Sequence, residues 1–484
     1  MSTDQNATPL FDAVKNYIEE KVIPFHVPGH KQGKGLPELR NYVGERVLQM
    51  DVNGMNDLDY LNNPAGVILE AQNLLADAFR AEEAFFLVNG TTAGVQAMIM
   101  SVCDPGSEII IPRNAHKSTI GGIILSGAMP VYVYPEINHD IGLSMNVTLE
   151  NIYRAIQRHP HAKAVFLLNP TYYGHACDLK AIVRIAHAHN MAVLVDEAHG
   201  AHMSFHNTFP LTAMEAGADM SAASLHKTAG SLTQSSVLLM RGNMVNTDKV
   251  KQTLNLSCTS SASYLLMCSL DIARKQLATR GAQILENTLR MVIGAREKLN
   301  EIPGVYAFGK ELTGTPGCFD WDETKLGINL SSLSCSGYQV ENKLRTEFGI
   351  QIEMSDLNNI LAICGMGDQE EDYALLINAI QTIASQSRLG EKRANIAIPA
   401  FADMIVSPRD AFYSNKKTLR LEDASGEIAG EMIMAYPPGI PVICMGEKIT
   451  KDIIDYIKIL KQENCALQGP ADPRLDYIQV LGSA

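Results

Sequence analysis

The stretch Ala192-Val193-Leu194-Val195 is apolar throughout and β-branched at two of its four positions, and no polar residue alternates with the apolar ones. Such a strand is buried on both faces, the condition of a parallel sheet with helices packed on either side. Further strands are predicted at 84–88, 108–112 and 164–168, and another in the stretch from Ala218 to Leu225. Helical stretches lie between them, including Val95 to Val102 and Leu179 to His189. From about Asn63 to Gly242, therefore, strands and helices alternate, and the predicted class is α/β around a parallel sheet. A long amphipathic helical region, Ser263 to Leu299, leads to Pro303-Gly304. The remainder mixes strands such as Gly327 to Leu330 with helices at Gly337 to Phe348 and Glu370 to Gln386. Before the sheet, a helix from Leu10 to Glu20 precedes a stretch broken by prolines and glycines, which reads as an arm lying across something larger.

Ligands of open α/β sheets sit at the carboxyl ends of the strands, so the residues emerging there are the candidates for chemistry. The run ending at Val195 delivers Asp196-Glu197-Ala198-His199-Gly200-Ala201-His202. The 218–225 stretch brings out Ser224, His226 and Lys227. Asn89-Gly90-Thr91-Thr92-Ala93-Gly94 leads from a strand into a helix, where hydroxyls and unpaired backbone N–H groups favour an anion. Arg113-Asn114-Ala115-His116-Lys117-Ser118 sits at the exit of another strand. Singly, each has a plainer reading: Asp196 as a turn cap, Lys227 as a solvated lysine, Thr91-Thr92 as an N-cap and His116 as a loop residue. Together they supply a phosphate cradle, a flat ring for stacking, a carboxylate and an amine.

That set resembles the fold type I enzymes that use pyridoxal 5′-phosphate, and among them the Orn/Lys/Arg decarboxylase family. The resemblance runs through Phe25-His26-Val27-Pro28-Gly29-His30-Lys31, the Thr91-Thr92 turn, Arg113 to Ser118, Asp196 to His202, Ser224 to Thr228 with Gln234, and Ser263-Tyr264-Leu265-Leu266-Met267. It continues to Tyr436-Pro437-Pro438-Gly439-Ile440-Pro441 and Gly446-Glu447. Three positions depart from the pattern: Ala262 and Met445 stand where prolines are usual, and Glu427 where an arginine commonly follows glycine. None belongs to the cofactor set.

The resemblance implies an aspartate aminotransferase-like fold, with a mainly parallel seven-stranded sheet and a smaller α+β C-terminal domain. The implied division is an arm over 1–62, a cofactor-binding domain over 63–300 and a small domain over 301–484. It implies that Lys227 carries the cofactor covalently until a substrate amine displaces it. Asp196 would keep the pyridine nitrogen protonated, so that the ring accepts the electrons left by departing carbon dioxide. His116 would stack on one face of the ring, with Ala198 small enough to pass beneath the other. Thr91, Thr92 and Ser224 would bind the phosphate. His226 would be a phosphate or proton-transfer neighbour, or would only orient Lys227. Glu353 would grip the distal cation of a basic amino acid by a charge-assisted bond, with Asp356 the second candidate.

The implied reaction is decarboxylation of a basic L-amino acid, best matched by L-arginine to agmatine in polyamine synthesis, with lysine and ornithine the alternatives. The length is similar to that of the family's short bacterial form, without the extra N-terminal domain of the long acid-inducible enzymes. Homodimers, or pairs of dimers, are implied, with Ser260 to Tyr264 reaching a neighbour's phosphate.

Composition agrees with these expectations. A chain of 484 residues with 46% hydrophobic content exceeds one ordinary core. A net charge of −13 argues against nucleic acid or an anionic membrane as partner and suits a cationic substrate. The opening Met-Ser-Thr-Asp-Gln-Asn lacks the basic and apolar regions of an export signal, and no run of 18 apolar residues occurs, so a cytoplasmic protein is expected. Nine cysteines without a CxxC pair read as reduced buried thiols, and no metal site is expected. Two other chemistries remain open. The carboxylates and histidines of 196–202 would suit a metal hydrolase, but that leaves Lys227 and the threonines unexplained. Aminotransfer or side-chain cleavage on the same scaffold is the nearer alternative.

Overall fold

The computed structural model describes residues 4–390, 399–435, 440–463 and 465–482. The 436–439 part of the C-terminal family segment lies outside the described residues. In chain order the elements that matter here begin with helix α1 (Pro9–Glu19), strand β1 (Glu83–Leu87), α2 (Gly90–Val102) and β2 (Glu108–Pro112). Next come α3 (Lys117–Ser126), β3 (Met129–Val133), β4 (Ala164–Leu168), α4 (Leu179–Ala188) and β5 (Ala192–Asp196). They are followed by β6 (Met220–Ala223), α5 (Leu225–Thr228), β7 (Ser236–Met240) and α6 (Tyr264–Asn300). The later part contributes β8 (Tyr306–Phe308), β9 (Lys325–Asn329), α7 (Gly337–Glu347), β10 (Met354–Ser355), β11 (Asn359–Ile363) and α8 (Glu370–Gln386).

Strands β1 to β7 belong to a mostly parallel seven-stranded sheet, as the unbroken apolar runs require. The chain divides into two compact units, 1–101 with 192–286 and 102–191 with 287–484. In the first, β7 runs antiparallel to both β1 and β6, while β5 and β6 are parallel. The antiparallel return follows from the short 224–235 connection, which holds only the four-residue α5 and no full crossover helix. In the second, β2 is parallel to both β3 and β4. Every residue of β4 and β5 is buried.

The N-terminal stretch is more structured than its prolines suggest. Beyond α1 it holds short helices at Pro37–Val43 and Glu45–Met50. It is pinned by two fully buried charges of α6, Asp271 and Arg274, paired at 2.6 Å. The Asp271 carboxylate accepts the amides of Leu10 and Phe11 and so caps α1, whose Pro9 needs no such partner. Arg274 donates to the carbonyls of Gln5 and Ala7 at 2.7 and 2.6 Å.

In the second unit, a four-stranded sheet in the order β8-β9-β11-β10 packs on α7 and α8 around Leu326, Ile328, Val340, Leu344 and Ile380. A C-terminal core gathers Leu421, Ile443, Ile453, Ile457 and Ile478. Arg113, the first residue beyond β2, is buried and makes a two-pronged pair with Glu447, Nε to Oε1 at 2.8 Å and Nη2 to Oε2 at 2.7 Å, and donates to the Pro441 carbonyl. The Tyr132 and Phe401 rings lie over its guanidinium. Arg113 and Glu447, both within the family-like motifs, thus have a structural use as a pin between β2 and the C-terminal region. Of the departures, Glu427 pairs with Lys417 at 3.0 Å. Seven of the nine cysteines are buried, whereas Cys258 and Cys465 are half-exposed, and all nine are free thiols.

Removing one partner of a buried pair strands the other charge, at a cost of about 3–5 kcal/mol. Arg113→Met and Glu447→Leu should therefore each lower the denaturant midpoint, and the double variant Arg113→Met/Glu447→Leu should lower it by much less than the sum of the two. Additive losses in denaturant unfolding would contradict the pin.

Candidate active site

The cofactor-type residues of the first unit converge at the carboxyl ends of β1, β5 and β6. Gly90 takes φ +74° where the chain leaves β1, and α2 starts there rather than at Val95. Thr91 and Thr92 consequently lie within the first turn of a 13-residue helix, among its unpaired amides, and do not precede it as caps. Thr91 is buried, its hydroxyl 2.5 Å from that of Ser224 and 2.9 Å from that of Ser236. Close approach of α2 to the sheet requires Gly94, because a Cβ there would lie 2.7 Å from Leu87 Cδ1 and 3.0 Å from Ala222 Cβ.

Asp196 is the last residue of β5 and is buried. Its Oδ1 accepts the Ala198 amide at 3.0 Å. Burial raises its pKa above the carboxylate norm, a rise opposed by the Ala198 amide and the positive field of Lys227. The small Ala198 is itself buried. Ser224 precedes α5, so His226 and Lys227 sit on a helical turn and not on a strand end. The Lys227 Nζ lies 2.9 Å from Nε2 of the buried His199. His226 directs Nδ1 to the Ser235 carbonyl at 2.9 Å, and burial lowers its pKa. Gln234, at φ +81°, donates to the Val88 carbonyl at 2.6 Å and ties the β1 exit to the 224–235 connection.

Two residues of this neighbourhood escaped the sequence reading. His199 was only one of two histidines in the 196–202 string, and spacing does not favour it over His202, which instead sits edge-on to Phe209. Ser236 opens a strand, with no motif to mark it. Glu197 has a structural use: Oε1 accepts the Ala213 amide at 2.7 Å and Oε2 the Ser221 hydroxyl at 2.5 Å. Among the described residues no three His, Cys, Asp or Glu side chains gather as a metal cluster would.

The remaining candidates belong to the second unit. His116 caps α3, with Nδ1 accepting the Ser118 amide at 3.2 Å and facing the Ser118 hydroxyl at 2.9 Å. That fixes the ring and, in the neutral form, places the proton on Nε2. Glu353 is exposed next to β10, its amide bonded to the Leu361 carbonyl. Asp356 turns inward and accepts the Tyr173 hydroxyl at 2.9 Å.

The donor set of the first unit fits pyridoxal 5′-phosphate. Hydroxyls at a helix N-terminus suit its phosphate, a buried carboxylate suits a protonated pyridine nitrogen, and Lys227 supplies the amine.

The comparisons place the chain in a family. The Orn/Lys/Arg decarboxylase major-domain profile matches residues 8–326, and the C-terminal-domain profile of the same family matches residues 392–470. An arginine decarboxylase of Bacillus subtilis is 45% identical over 481 residues, 99% of this chain and 98% of the relative. In structure, a lysine decarboxylase of Francisella novicida superposes with a TM-score of 0.84 at 19% identity, covering 98% of this chain and 81% of its own. An alanine–glyoxylate aminotransferase of Nostoc superposes with a TM-score of 0.56 at 17% identity over 70% of this chain and 91% of its own. The fold is that of the fold type I pyridoxal-phosphate enzymes. The chain is a member of the Orn/Lys/Arg decarboxylase family, and thus of a family of amino-acid carboxy-lyases.

Burial raises the Glu197 pKa from 4.5 to about 7, despite the bonds from Ser221 and Ala213. The folded state then holds this proton more tightly than the unfolded state, so the stability contributed by Glu197 is fully present below about pH 4.5 and is lost as pH rises through about 7. Glu197→Gln should flatten this part of the stability profile. An unchanged slope between pH 5 and 8 in thermal unfolding of the cofactor-free protein would show that Glu197 does not titrate there.

Proposed function

We propose that this chain decarboxylates L-arginine to agmatine, with pyridoxal 5′-phosphate held at Lys227. The full-length likeness to the Bacillus subtilis relative, named an arginine decarboxylase, carries this reading. The convergence of Lys227, Asp196 and the hydroxyl set in one unit supports it.

When bound, the cofactor supplies an electron sink for the pair left behind by carbon dioxide. Thr91, Thr92 and Ser224 would hold its phosphate by hydroxyls and first-turn amides. Asp196 would face the pyridine nitrogen and favour its protonated form. Lys227 would hold the cofactor through its amine. His199, 2.9 Å away, takes and returns the proton that decides whether that amine is a nucleophile. His226, held on the Ser235 carbonyl, orients the Lys227 turn beside the phosphate. Ala198 is small enough that it would leave room beneath the ring, and the stacking role falls to His116 by resemblance alone. Glu353 binds the guanidinium, with Asp356 the second candidate.

The same reading takes 1–62 as an arm, 63–300 as the cofactor domain and 301–484 as the small domain. It also includes a cytoplasmic homodimer, or a pair of dimers, supplying agmatine for polyamine synthesis. No helix among the described residues is long and apolar enough to cross a membrane.

Offered arginine, lysine and ornithine in competition, the loaded enzyme should release agmatine fastest. Faster diamine release from lysine or ornithine would overturn the substrate and leave the reaction class intact. Lys227→Ala should abolish both turnover and the visible absorption band of the bound cofactor, and turnover without that lysine would refute the mechanism. Glu353→Gln should raise KM for arginine at least tenfold and leave the cofactor band unchanged. An unaltered KM would remove Glu353 from substrate recognition.

A further inference from the structure

A cleft of about 320 Å³ opens in the first unit, between the helix Val67–Ala78, the helix Thr247–Ser257 and strand β1. None of the cofactor-type residues lines it. Its volume lies at the lower end of the roughly 300–1,000 Å³ of small-molecule sites. Phe85, Phe86 and Leu254, all buried, give it apolar walls. The only charged side chains on it are Glu83 and Lys251, which pair with each other at 3.2 Å. Beside the Cys258 thiol, its other polar side chains are carboxamides, among them Gln72, Asn73 and Asn255.

β1 is an edge strand, paired on one side only, with β7. Gln72 covers its open side, where Oε1 accepts the Phe86 amide at 2.9 Å. That bond fixes which end of the carboxamide is oxygen, so the nitrogen is the end left over. Gln72 is only 4% exposed, yet among the described residues its Nε2 has no protein acceptor. The nitrogen is not sealed from solvent either, so it opens into the cleft that Gln72 lines. Capping the strand uses Oε1 alone. A donor at this depth without an acceptor is costly, and a ligand that brings a carbonyl oxygen relieves the cost.

We infer that this cleft binds a small neutral cyclic amide of the nucleobase class, with a carbonyl oxygen on Gln72 Nε2 and its flat faces among Phe85, Phe86 and Leu254. A carboxamide offers a donor and an acceptor side by side. It therefore pairs with the adjacent N–H and C=O of a cyclic amide by two bonds at once, as asparagine and glutamine do with the edge of adenine. Asn73 and Asn255, both exposed, supply such groups at the rim. Because Lys251 is already paired with Glu83, a phosphate finds no free cation here, and the ligand is the base or its nucleoside, not a nucleotide. The site lies within the first unit and needs neither Lys227 nor the decarboxylase reading.

The test is a ligand-observed NMR titration of the cofactor-loaded protein with uracil, and with glucose as a neutral ring that carries hydroxyls in place of the cyclic amide. Uracil should bind at least tenfold more tightly than glucose. Gln72→Glu, which keeps an oxygen for the Phe86 amide and removes the donor, should lose at least tenfold in uracil affinity. Asn255→Trp fills the cleft from an exposed position and should abolish binding, which decides the matter even where Gln72→Glu does not fold. Lys227→Ala should bind uracil as the parent protein does. No uracil binding up to its solubility limit, equal or tighter binding of glucose, unchanged affinity in either cleft variant, or loss in Lys227→Ala would each overturn the inference.

Discussion

A sheet buried on both faces leaves its strands nowhere to carry polar side chains except at their ends. That constraint shapes the rest of the structure. β4 and β5 are apolar along their lengths, and the first polar residues to emerge from β5, Asp196 and Glu197, do so at the carboxyl end. The same logic brings Thr91 beyond β1 and Arg113 beyond β2, where helix N-termini and loop amides can receive them. Glu197 is used for framework and Asp196 for the proposed chemistry, although they are neighbours in sequence and equally buried. The difference lies in their partners: Ser221 and Ala213 satisfy Glu197, whereas Asp196 has one amide and the field of Lys227.

Charge burial divides the polar interior in the same way. Asp271 with Arg274, Arg113 with Glu447, Arg296 with Glu323 and Lys325 with Asp322 are each buried and each paired at 2.6 or 2.7 Å. Such pairs contribute little net stability but are costly to break, and they fix how segments meet. Asp196 is held by one amide and the field of Lys227, and Asp356 by neutral hydrogen-bond donors. Buried carboxylates whose pKa is perturbed in this way are candidates for function.

Much of this was legible before the structure. Asp196 and Lys227 stood at the ends of apolar runs whose lack of alternation marks buried strands, and the threonine turn followed directly on another. Boundaries were less legible. Thr91 and Thr92 fall inside α2 because Gly90 turns the chain at positive φ, and Lys227 lies on a helical turn because Ser224 opens one. Contacts distant in sequence were not legible at all. Nothing local distinguishes His199 from His202, marks Ser236, or pairs Arg113 with a glutamate more than three hundred residues away. Those pairings come from the three-dimensional fold, and no periodicity encodes them.

The account stands on the cofactor being held at Lys227, within reach of Asp196 and the Thr91 and Ser224 hydroxyls. Reducing the loaded protein with borohydride, followed by peptide mapping by mass spectrometry, tests this most directly. A phosphopyridoxyl mass on the peptide containing Lys227, and on no other lysine, is the predicted result. The label on a different lysine, or no label after loading with the cofactor, would contradict the account.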